Sequence, residues 1–317
     1  MKESIIIIGA NGQIGTELAI ALRKKFGAEN VVTTDIREPQ TKSSDENFEI
    51  ANVLDKNGLD TLFQKYKPTQ IYLLAAMLSA TGEKYPEKAW ELNMNGLLNV
   101  LDLAVTYNVS RIFWPSSIAV FGPHSPKINT EQYCVMDPNT IYGISKLAGE
   151  RLIEWYQEHR GLDIRSVRYP GIISWKTEPG GGTTDYAVDI FYEALKTGNY
   201  TCFLSEDTAL PMLYMDDAIN ATLKLMEAPK DSLTVRSSYN LGGMSFTPKE
   251  LSEEIKKEIP EFTIDYKPDF RQQIADSWPA SIDDSVAKKD WGLTYDFGIS
   301  EMTKDMIKNL RVKLNKN

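Results

Sequence analysis

The sequence contains little cysteine and little histidine. Its 317 residues include two cysteines, Cys134 and Cys202, and two histidines, His124 and His159. Two cysteines do not make a disulfide framework, and neither residue type has the spacing of metal ligands. His159 ends a predicted helix, where a cation is favoured, which indicates a structural role. These shortages predict a chain without a metal site, in a reducing, cytoplasmic compartment.

Long apolar runs and an excess of positive charge are also absent. The first apolar run, Ile5–Ile8, is too short for a secretory signal or a membrane span. The 35 basic residues are outnumbered by 44 acidic ones, giving a net charge of −9. This balance argues against nucleic acid or an anionic membrane as the main partner. An apolar content of 42% and a charged content of 25% are typical of a globular chain.

A glycine-rich turn follows the first predicted strand. Ile5–Ile8 leads into Gly9-Ala10-Asn11-Gly12-Gln13-Ile14-Gly15, and a helix is predicted from there to about Phe26. Such a turn lets the backbone approach a pyrophosphate, and the helix N-terminus favours its negative charge. The spacing is G-x-x-G-x-x-G and not the more common G-x-G-x-x-G. The turn alone is therefore weak evidence for a dinucleotide.

The next predicted strand ends in an acid. Val31 to Asp35 is β-branched before its last residue, which lies 20 positions after Gly15. A carboxylate there can accept hydrogen bonds from the adenosine ribose and repels a 2′-phosphate. This favours NAD over NADP, although Arg37 is of the type that accommodates a 2′-phosphate. The alternative for Asp35 is an ordinary turn residue at the end of a strand.

Strands and helices continue to alternate along the chain. Strands are predicted at 48–50, 70–75, 111–117 and 164–169, and helices at 59–66, 86–107 and 142–159. This alternation predicts an α/β fold of Rossmann type, with a doubly wound parallel sheet. The small residues in Leu74-Ala75-Ala76 leave room for a cofactor at a strand's carboxyl end. Asn93, unfavourable within a helix, either faces solvent or holds a water or backbone group near the site.

Tyr142 and Lys146 lie four residues apart in a predicted helix, so they share one face of it. A tyrosine ordinarily has a pKa of about 10. A neighbouring ammonium favours the phenolate, so we expect Lys146 to lower the pKa of Tyr142 and make it a usable base. The same spacing occurs by chance in many amphipathic helices, so the pair alone is a weak signal.

Three motifs together resemble the extended short-chain dehydrogenase/reductase superfamily: the glycine turn, Ser116-Ser117 ahead of Ala119–Gly122, and Tyr142-x-x-x-Lys146. The resemblance implies that Ser117 donates to the substrate oxygen. Ser116 is the less favoured donor, and its residue type also suits a serine that caps the next turn. It also implies a homodimer formed through the helices 86–107 and 142–159. The cofactor site is then predicted to comprise Gly9, Gly12, Gln13, Ile14, Gly15, Asp35, Ile36, Arg37, Asn52, Val53, Leu74, Ala75, Ala76, Asn93, Tyr142, Lys146 and Tyr169.

Two residues argue against a nucleotide-sugar substrate. Epimerases and dehydratases of this superfamily usually carry an Asn where this chain has Gly171. They also tend to carry an arginine, which pairs with the sugar-nucleotide diphosphate, where this chain has Leu210. A nucleotide-sugar epimerase or dehydratase remains the second hypothesis. A protein that binds NAD without catalysis is a third, disfavoured by the intact Ser117, Tyr142 and Lys146.

Several segments of the second half closely resemble the short-chain type of L-threonine 3-dehydrogenase: 178–187, 210–217, 245–248 and 271–279. The resemblance implies oxidation of the β-hydroxyl of L-threonine by NAD, with Tyr142 as general base. Residue types alone also allow an ordinary loop at 178–187 and a core tryptophan at Trp278. The predicted substrate contacts are Ser79, Ser117, Tyr142, Thr183, Thr184 and Trp278.

The predicted domain organisation is discontinuous. Residues 1–170 and 212–242 are assigned to the NAD-binding Rossmann domain. Residues 171–211 and 243–317 are assigned to a smaller α/β substrate-binding domain. Within the second domain, Gly180 to Thr184 is predicted to form a loop that closes over the substrate and gates product release.

Overall fold

The computed structural model describes residues 3–39, 47–178, 180 and 182–314. The chain divides into two compact units. Unit 1 comprises Met1–Ser117, Ile141–Arg168 and Ile219–Tyr239, and unit 2 comprises Ile118–Thr140, Tyr169–Ala218 and Asn240–Asn317. Segment 118–140, assigned by sequence to the first domain, lies in unit 2 because Thr130 there pairs with Ile282 and its carbonyl accepts a hydrogen bond from Asn240.

Unit 1 contains a parallel sheet of six strands in the order β3-β2-β1-β4-β5-β7. This order confirms the predicted doubly wound sheet. It reverses between β1 and β4, where the carboxyl ends of such sheets form a ligand-binding crevice. The strands of the first half of the chain are β1 Ile5–Ile8, β2 Val31–Asp35, β3 Asn47–Ile50, β4 Gln70–Leu73, β5 Arg111–Phe113, β6 Ser116–Ser117, β7 Ile164–Arg165 and β8 Val167–Tyr169.

Helices cover this sheet because their apolar faces pack on its buried strands. Residues Ile5 to Ile8 are at most 1% exposed. Ile6 and Ile8 join a core with Phe63, Leu101 and Ile153. The helices are α1 Gln13–Phe26, α2 Lys56–Tyr66, α3 Ser79–Lys84, α4 Pro86–Trp90, α5 Gly96–Thr106 and α6 Ile141–Arg160. The single helix predicted at 86–107 is interrupted between α4 and α5 by a π-helix, Glu91–Asn95.

Unit 2 is built around a mixed sheet in the order β13-β11-β9, with β9 parallel and β13 antiparallel to β11. Thr247 and Glu250 form a reciprocal capping box that begins α9. The remaining strands and helices are β9 Gly171–Ile173, β10 Asn199–Cys202, β11 Leu210–Tyr214, β12 Tyr239–Asn240, β13 Met244–Phe246, β14 Thr263–Tyr266, α7 Tyr186–Lys196, α8 Met215–Glu227, α9 Pro248–Glu258, α10 Arg271–Ser277, α11 Ser285–Trp291 and α12 Ile299–Leu314.

Within the residues described, no helix is long and apolar enough to cross a membrane.

Candidate active site

Tyr142 and Ser117 are hydrogen-bonded to each other in unit 1. Tyr142 is the second residue of α6, and Ser117 ends β6. Burial raises the pKa of Tyr142 to about 12, and the bond from Ser117 acts in the opposite direction. The two oxygens therefore form a pair that could hold one substrate hydroxyl between them.

Lys146 lies one turn further along α6 and is 3% exposed. Its Nζ donates to the Pro115 carbonyl at 2.6 Å and sits 4.5 Å from the centre of the Trp114 ring. It is 5.7 Å from the centre of the Tyr142 ring. Burial lowers the pKa of Lys146 to about 7, while the charge of Glu150 raises it. In this geometry burial dominates the pKa of Tyr142, and the Lys146 ammonium donates to the Pro115 carbonyl. Lowering of the Tyr142 pKa by Lys146 stays a prediction.

Successive serines of β6 point in different directions, as residues of a strand do. Ser116 is 2% exposed, and its hydroxyl donates to Glu150 at 2.6 Å. Ser117 is half-buried and bonds Tyr142. The strand therefore directs Ser117 toward Tyr142 and gives Ser116 a structural partner.

Asn93 links the loop after β4 to the helix that carries Tyr142. Its Oδ1 accepts from the Met77 amide at 2.8 Å, and its Nδ2 donates to the Ser145 hydroxyl at 3.0 Å. Ser145 in turn donates to the Tyr142 carbonyl at 2.8 Å. Of the two possibilities raised by the sequence, the structure shows the backbone-holding role. The π-helix turns Asn93 inward, which is a common use of π-bulges at functional sites.

The glycine turn has the tight geometry that a dinucleotide cradle needs. Gly9 has φ +87°, and a Cβ there would lie 2.5 Å from the Ala75 amide nitrogen. A Cβ on Gly15 would lie 2.6 Å from the Gly9 carbonyl oxygen. Gly12 caps α1 without a side-chain hydrogen bond, and the first turn has no acidic residue. These residues fit a pyrophosphate held at the helix N-terminus, with Gln13 and Ile14 in its first turn.

Asp35 stands at the carboxyl end of β2, beside this turn. Its Oδ2 accepts from the Asn11 amide at 3.0 Å, and the Asn11 side chain donates to the Arg37 carbonyl at 2.7 Å. Ile36 and Arg37 are exposed. A carboxylate fixed in this place suits a ribose diol, as the sequence predicted.

The other predicted cofactor residues have mixed surroundings. Leu74, Ala75 and Ala76 follow β4 and are half-buried. Val53 belongs to the core of unit 1, and Asn52 is exposed, accepting a hydrogen bond from the Leu54 amide. Tyr169, in unit 2, is 5% exposed, with its hydroxyl 3.5 Å from the Ala218 carbonyl.

In unit 2, Thr183 is 1% exposed, and its hydroxyl has no hydrogen-bond partner among the described residues. A buried hydroxyl without a protein partner is open to a hydrogen bond with a ligand or a water molecule. Thr184 packs against Gly171, where a Cβ would come within 2.7 Å of it. An Asn at this position has no space, which agrees with the departure seen in the sequence. Gly181, part of the proposed gating loop, lies outside the described residues.

Leu210 begins β11 and is fully buried, in register with Phe246 of β13. Trp278 follows α10 and is 7% exposed. The ammonium of Lys127 donates to the Ser277 carbonyl at 2.7 Å, so it fixes the chain beside Trp278. In unit 1, Ser79 begins α3 and is 6% exposed.

Sequence reasoning missed two buried charges of unit 1, one of which, Glu150, contacts Ser116. Glu150 is fully buried, and Arg168 is 1% exposed. Their ion pair has two hydrogen bonds, Nε to Oε1 at 2.9 Å and Nη2 to Oε2 at 2.8 Å. The available signal was the spacing, because Glu150 follows Lys146 by four residues and so shares its helix face.

Comparison with known proteins places these features in a family. Residues 5–242 match the model of the NAD dependent epimerase/dehydratase family. An uncharacterized epimerase/dehydratase of Staphylococcus haemolyticus is 48% identical over 314 residues, covering 98% of each chain. A holo-form L-threonine dehydrogenase structure from Cupriavidus necator is 56% identical, with TM-score 0.95, covering 97% of this chain and 99% of that one.

A further similar structure is described as a monomeric L-threonine 3-dehydrogenase from a metagenome. It is 50% identical, with TM-score 0.94, and covers 98% of this chain and 99% of its own. The family match spans most of the chain and includes the glycine turn, Ser117, Tyr142 and Lys146. This chain therefore belongs to the NAD dependent epimerase/dehydratase family, with NAD as its cofactor.

Proposed function

We propose that this chain is an L-threonine 3-dehydrogenase, which oxidises the β-hydroxyl of L-threonine with NAD to give 2-amino-3-oxobutanoate. The observation that carries the proposal is the hydrogen-bonded Tyr142–Ser117 pair with Lys146 one turn away. The substrate class is supported by the solved L-threonine dehydrogenases that this chain resembles over nearly its whole length.

Ser117 and Tyr142 hold the substrate hydroxyl, and Tyr142 takes its proton. NAD, when bound, supplies a positively charged nicotinamide whose C4 accepts the hydride. The phenolate of Tyr142 is disfavoured by burial, so it needs positive charge close by. Lys146 supplies one such charge from the same helix face, provided that it is protonated.

In unit 1, the glycine turn Gly9–Gly15 would hold the pyrophosphate of NAD, and Asp35 would accept from its adenosine ribose. Asn93 keeps the loop at Met77 and the first turn of α6 in place. We assign the substrate's ammonium and carboxylate to polar groups among Ser79, Thr183 and Thr184, with Trp278 as an apolar wall.

The test is NADH absorbance after mixing the purified protein with NAD and L-threonine, L-serine or a UDP-hexose in separate reactions. We expect NADH to appear with threonine and not with the UDP-hexose. Interconversion of the UDP-sugar, without NADH from any amino acid, would instead identify a nucleotide-sugar epimerase.

Replacing Thr183 with valine should raise KM for threonine by about tenfold, because a hydrogen bond to a charged group contributes about 1.5–3 kcal/mol. The change preserves shape and leaves NAD affinity unaltered, which isothermal titration can verify. Thr197→Val is the matched control, since Thr197 lies at the other end of α7 and bonds Glu193. A KM equal to that of wild type would remove Thr183 from the substrate site.

We also propose a homodimer formed through 86–107 and α6. Helix α6 exposes Ile144 and Trp155, each 42% accessible, and α4 exposes Trp90. Apolar side chains on neighbouring helices of one unit are suited to a subunit interface. Light scattering distinguishes such a dimer from a monomer of 35.8 kDa.

A further inference from the structure

Three successive turns of α6 contact the consecutive residues Pro115, Ser116 and Ser117, which lie after β5 and include β6. Tyr142 bonds the side chain of Ser117, Lys146 bonds the carbonyl of Pro115, and Glu150 accepts from Ser116. The three helix residues are spaced by four, so they form one stripe along α6. We call this set of contacts the three-turn stripe. Tyr142 and Lys146 have roles in the reaction proposed above, whereas Glu150 has none yet.

Glu150 is a carboxylate at complete burial, which requires compensation. Arg168 provides it through two hydrogen bonds, at 2.9 and 2.8 Å, and the Ser116 hydroxyl adds a third at 2.6 Å. An apolar pair of similar volume often gives a protein equal or greater stability than a buried ion pair. Stability alone therefore does not account for Glu150 and Arg168 at these positions.

We propose that Glu150 is a positioning residue for the reaction: it places a fixed negative charge one turn behind Lys146, keeps that side chain an ammonium, and anchors the strand end so that Ser117 faces Tyr142. The catalytic part of this inference rests on the proposed dehydrogenase function. The electrostatic part concerns only Glu150 and Lys146, and can be tested without any substrate.

Glu150 is the negatively charged group that acts on Lys146. The residues after β5 bring to Lys146 the Trp114 ring and the Pro115 carbonyl. Among the described charges, Glu150 is the one that raises the pKa of Lys146 against the effect of burial. Tyr142 and Glu150 are the titratable neighbours of Lys146 on the same face of α6. Other elements packed against α6 also carry charged residues: Glu83 on α3, Lys88 on α4, Glu91 on the π-helix, Asp102 on α5 and Arg165 on β7.

Four of those other charges have contacts of their own. Glu83 accepts from the Ile141 amide, and Asp102 accepts from Tyr156 and Lys56. Arg165 pairs with Asp163, and Lys88 lies over the Tyr85 ring. Arg168 contacts Glu150 directly and balances its charge without removing the carboxylate from the vicinity of Lys146.

The test measures the pKa of Lys146 by NMR, in full-length protein with lysine labelled with carbon-13 at Cε. The Lys146 signal is identified by its loss in Lys146→Arg. We expect a pKa near 7 in the wild type and a value lower by about one unit in Glu150→Gln. Glu154→Gln is the matched control, because Glu154 lies one turn further along α6 and pairs with Arg151 at the surface. It should leave the pKa of Lys146 unchanged.

Glu150→Gln leaves Arg168 without its carboxylate, so the fold of this variant is checked by thermal unfolding. Where it is not folded, Glu150→Gln/Arg168→Gln replaces it, since that variant removes both buried charges together. A folded variant whose Lys146 pKa equals that of the wild type would overturn the proposal.

The charge of Glu150 should also affect the pH dependence of kcat/KM. Loss of Glu150 should move the alkaline limb of kcat/KM for threonine toward lower pH by about one unit, because the Lys146 ammonium that supports the Tyr142 phenolate then loses its proton at a lower pH. A merely structural role would lower activity without moving this limb. If threonine gives no NADH with any variant, the proposed function fails, and the NMR titration still decides the role of Glu150.

Discussion

Replacing Tyr142 with phenylalanine should lower kcat for threonine oxidation by about 10³-fold, because general base catalysis typically contributes 10² to 10⁴. The ring keeps its place at the start of α6, and only the hydroxyl bonded to Ser117 is lost. NAD affinity, measured by isothermal titration, should stay within about twofold of wild type, since a single side-chain hydroxyl contributes little to a cradle built from backbone.

Tyr156→Phe is the matched control. Tyr156 lies on the same helix, and burial, reinforced by the bond to Asp102, likewise raises its pKa to about 12. It has no place in the proposed reaction, so its loss should leave kcat within about twofold while lowering the melting temperature by a few degrees. Equal losses of kcat in the two variants would show that Tyr142 acts through stability and not as a base.

Gly15→Ala should weaken NAD binding at least about tenfold and destabilise the protein by about 1–3 kcal/mol, the usual cost of overpacking. Its new methyl would meet the Gly9 carbonyl at 2.6 Å and the Ala10 backbone at 2.8 Å, and backbone cannot move aside cheaply. Thermal unfolding and isothermal titration with NAD measure the two effects separately.

Gly12→Ala distinguishes a loss of NAD affinity through cofactor contact from a loss through backbone strain. Gly12 has φ −73°, and its added methyl would meet only the Gly9 carbonyl at an ordinary 3.5 Å. Stability should therefore be unchanged or higher by up to about 1 kcal/mol. NAD affinity should still fall by about tenfold, because the methyl fills the space where the backbone approaches the pyrophosphate. Undiminished NAD affinity in Gly12→Ala would place the pyrophosphate elsewhere.

The sequence predicted the local parts of unit 1 well, because short-range pattern determines them. The continuous β-branched run at Ile5–Ile8 and the acid ending Val31–Asp35 were found with their bounds unchanged. The helix around Tyr142 is one residue longer at each end than predicted. Each of these depends on periodicity and on residues next to one another in the chain.

Long-range contacts escaped prediction for the same reason. The Tyr142 pKa depends on how deeply α6 is buried, which no helical spacing reveals. Arg168 could not be paired with Glu150 from sequence, since 18 residues and a change from helix to strand separate them. The place of 118–140 in unit 2 likewise depends on a partner at Ile282, far along the chain.

The π-helix at Glu91–Asn95 makes the position of Asn93 dependent on one extra residue in the helix. A π-turn holds one residue more than an α-turn. Deleting a single residue there would restore the regular helix and remove the wider turn that directs Asn93 inward. Asn93 could then no longer reach both Met77 and Ser145. In-frame deletion of one codon is thus among the smallest genetic changes able to loosen the Tyr142 helix while sparing every residue proposed to touch substrate.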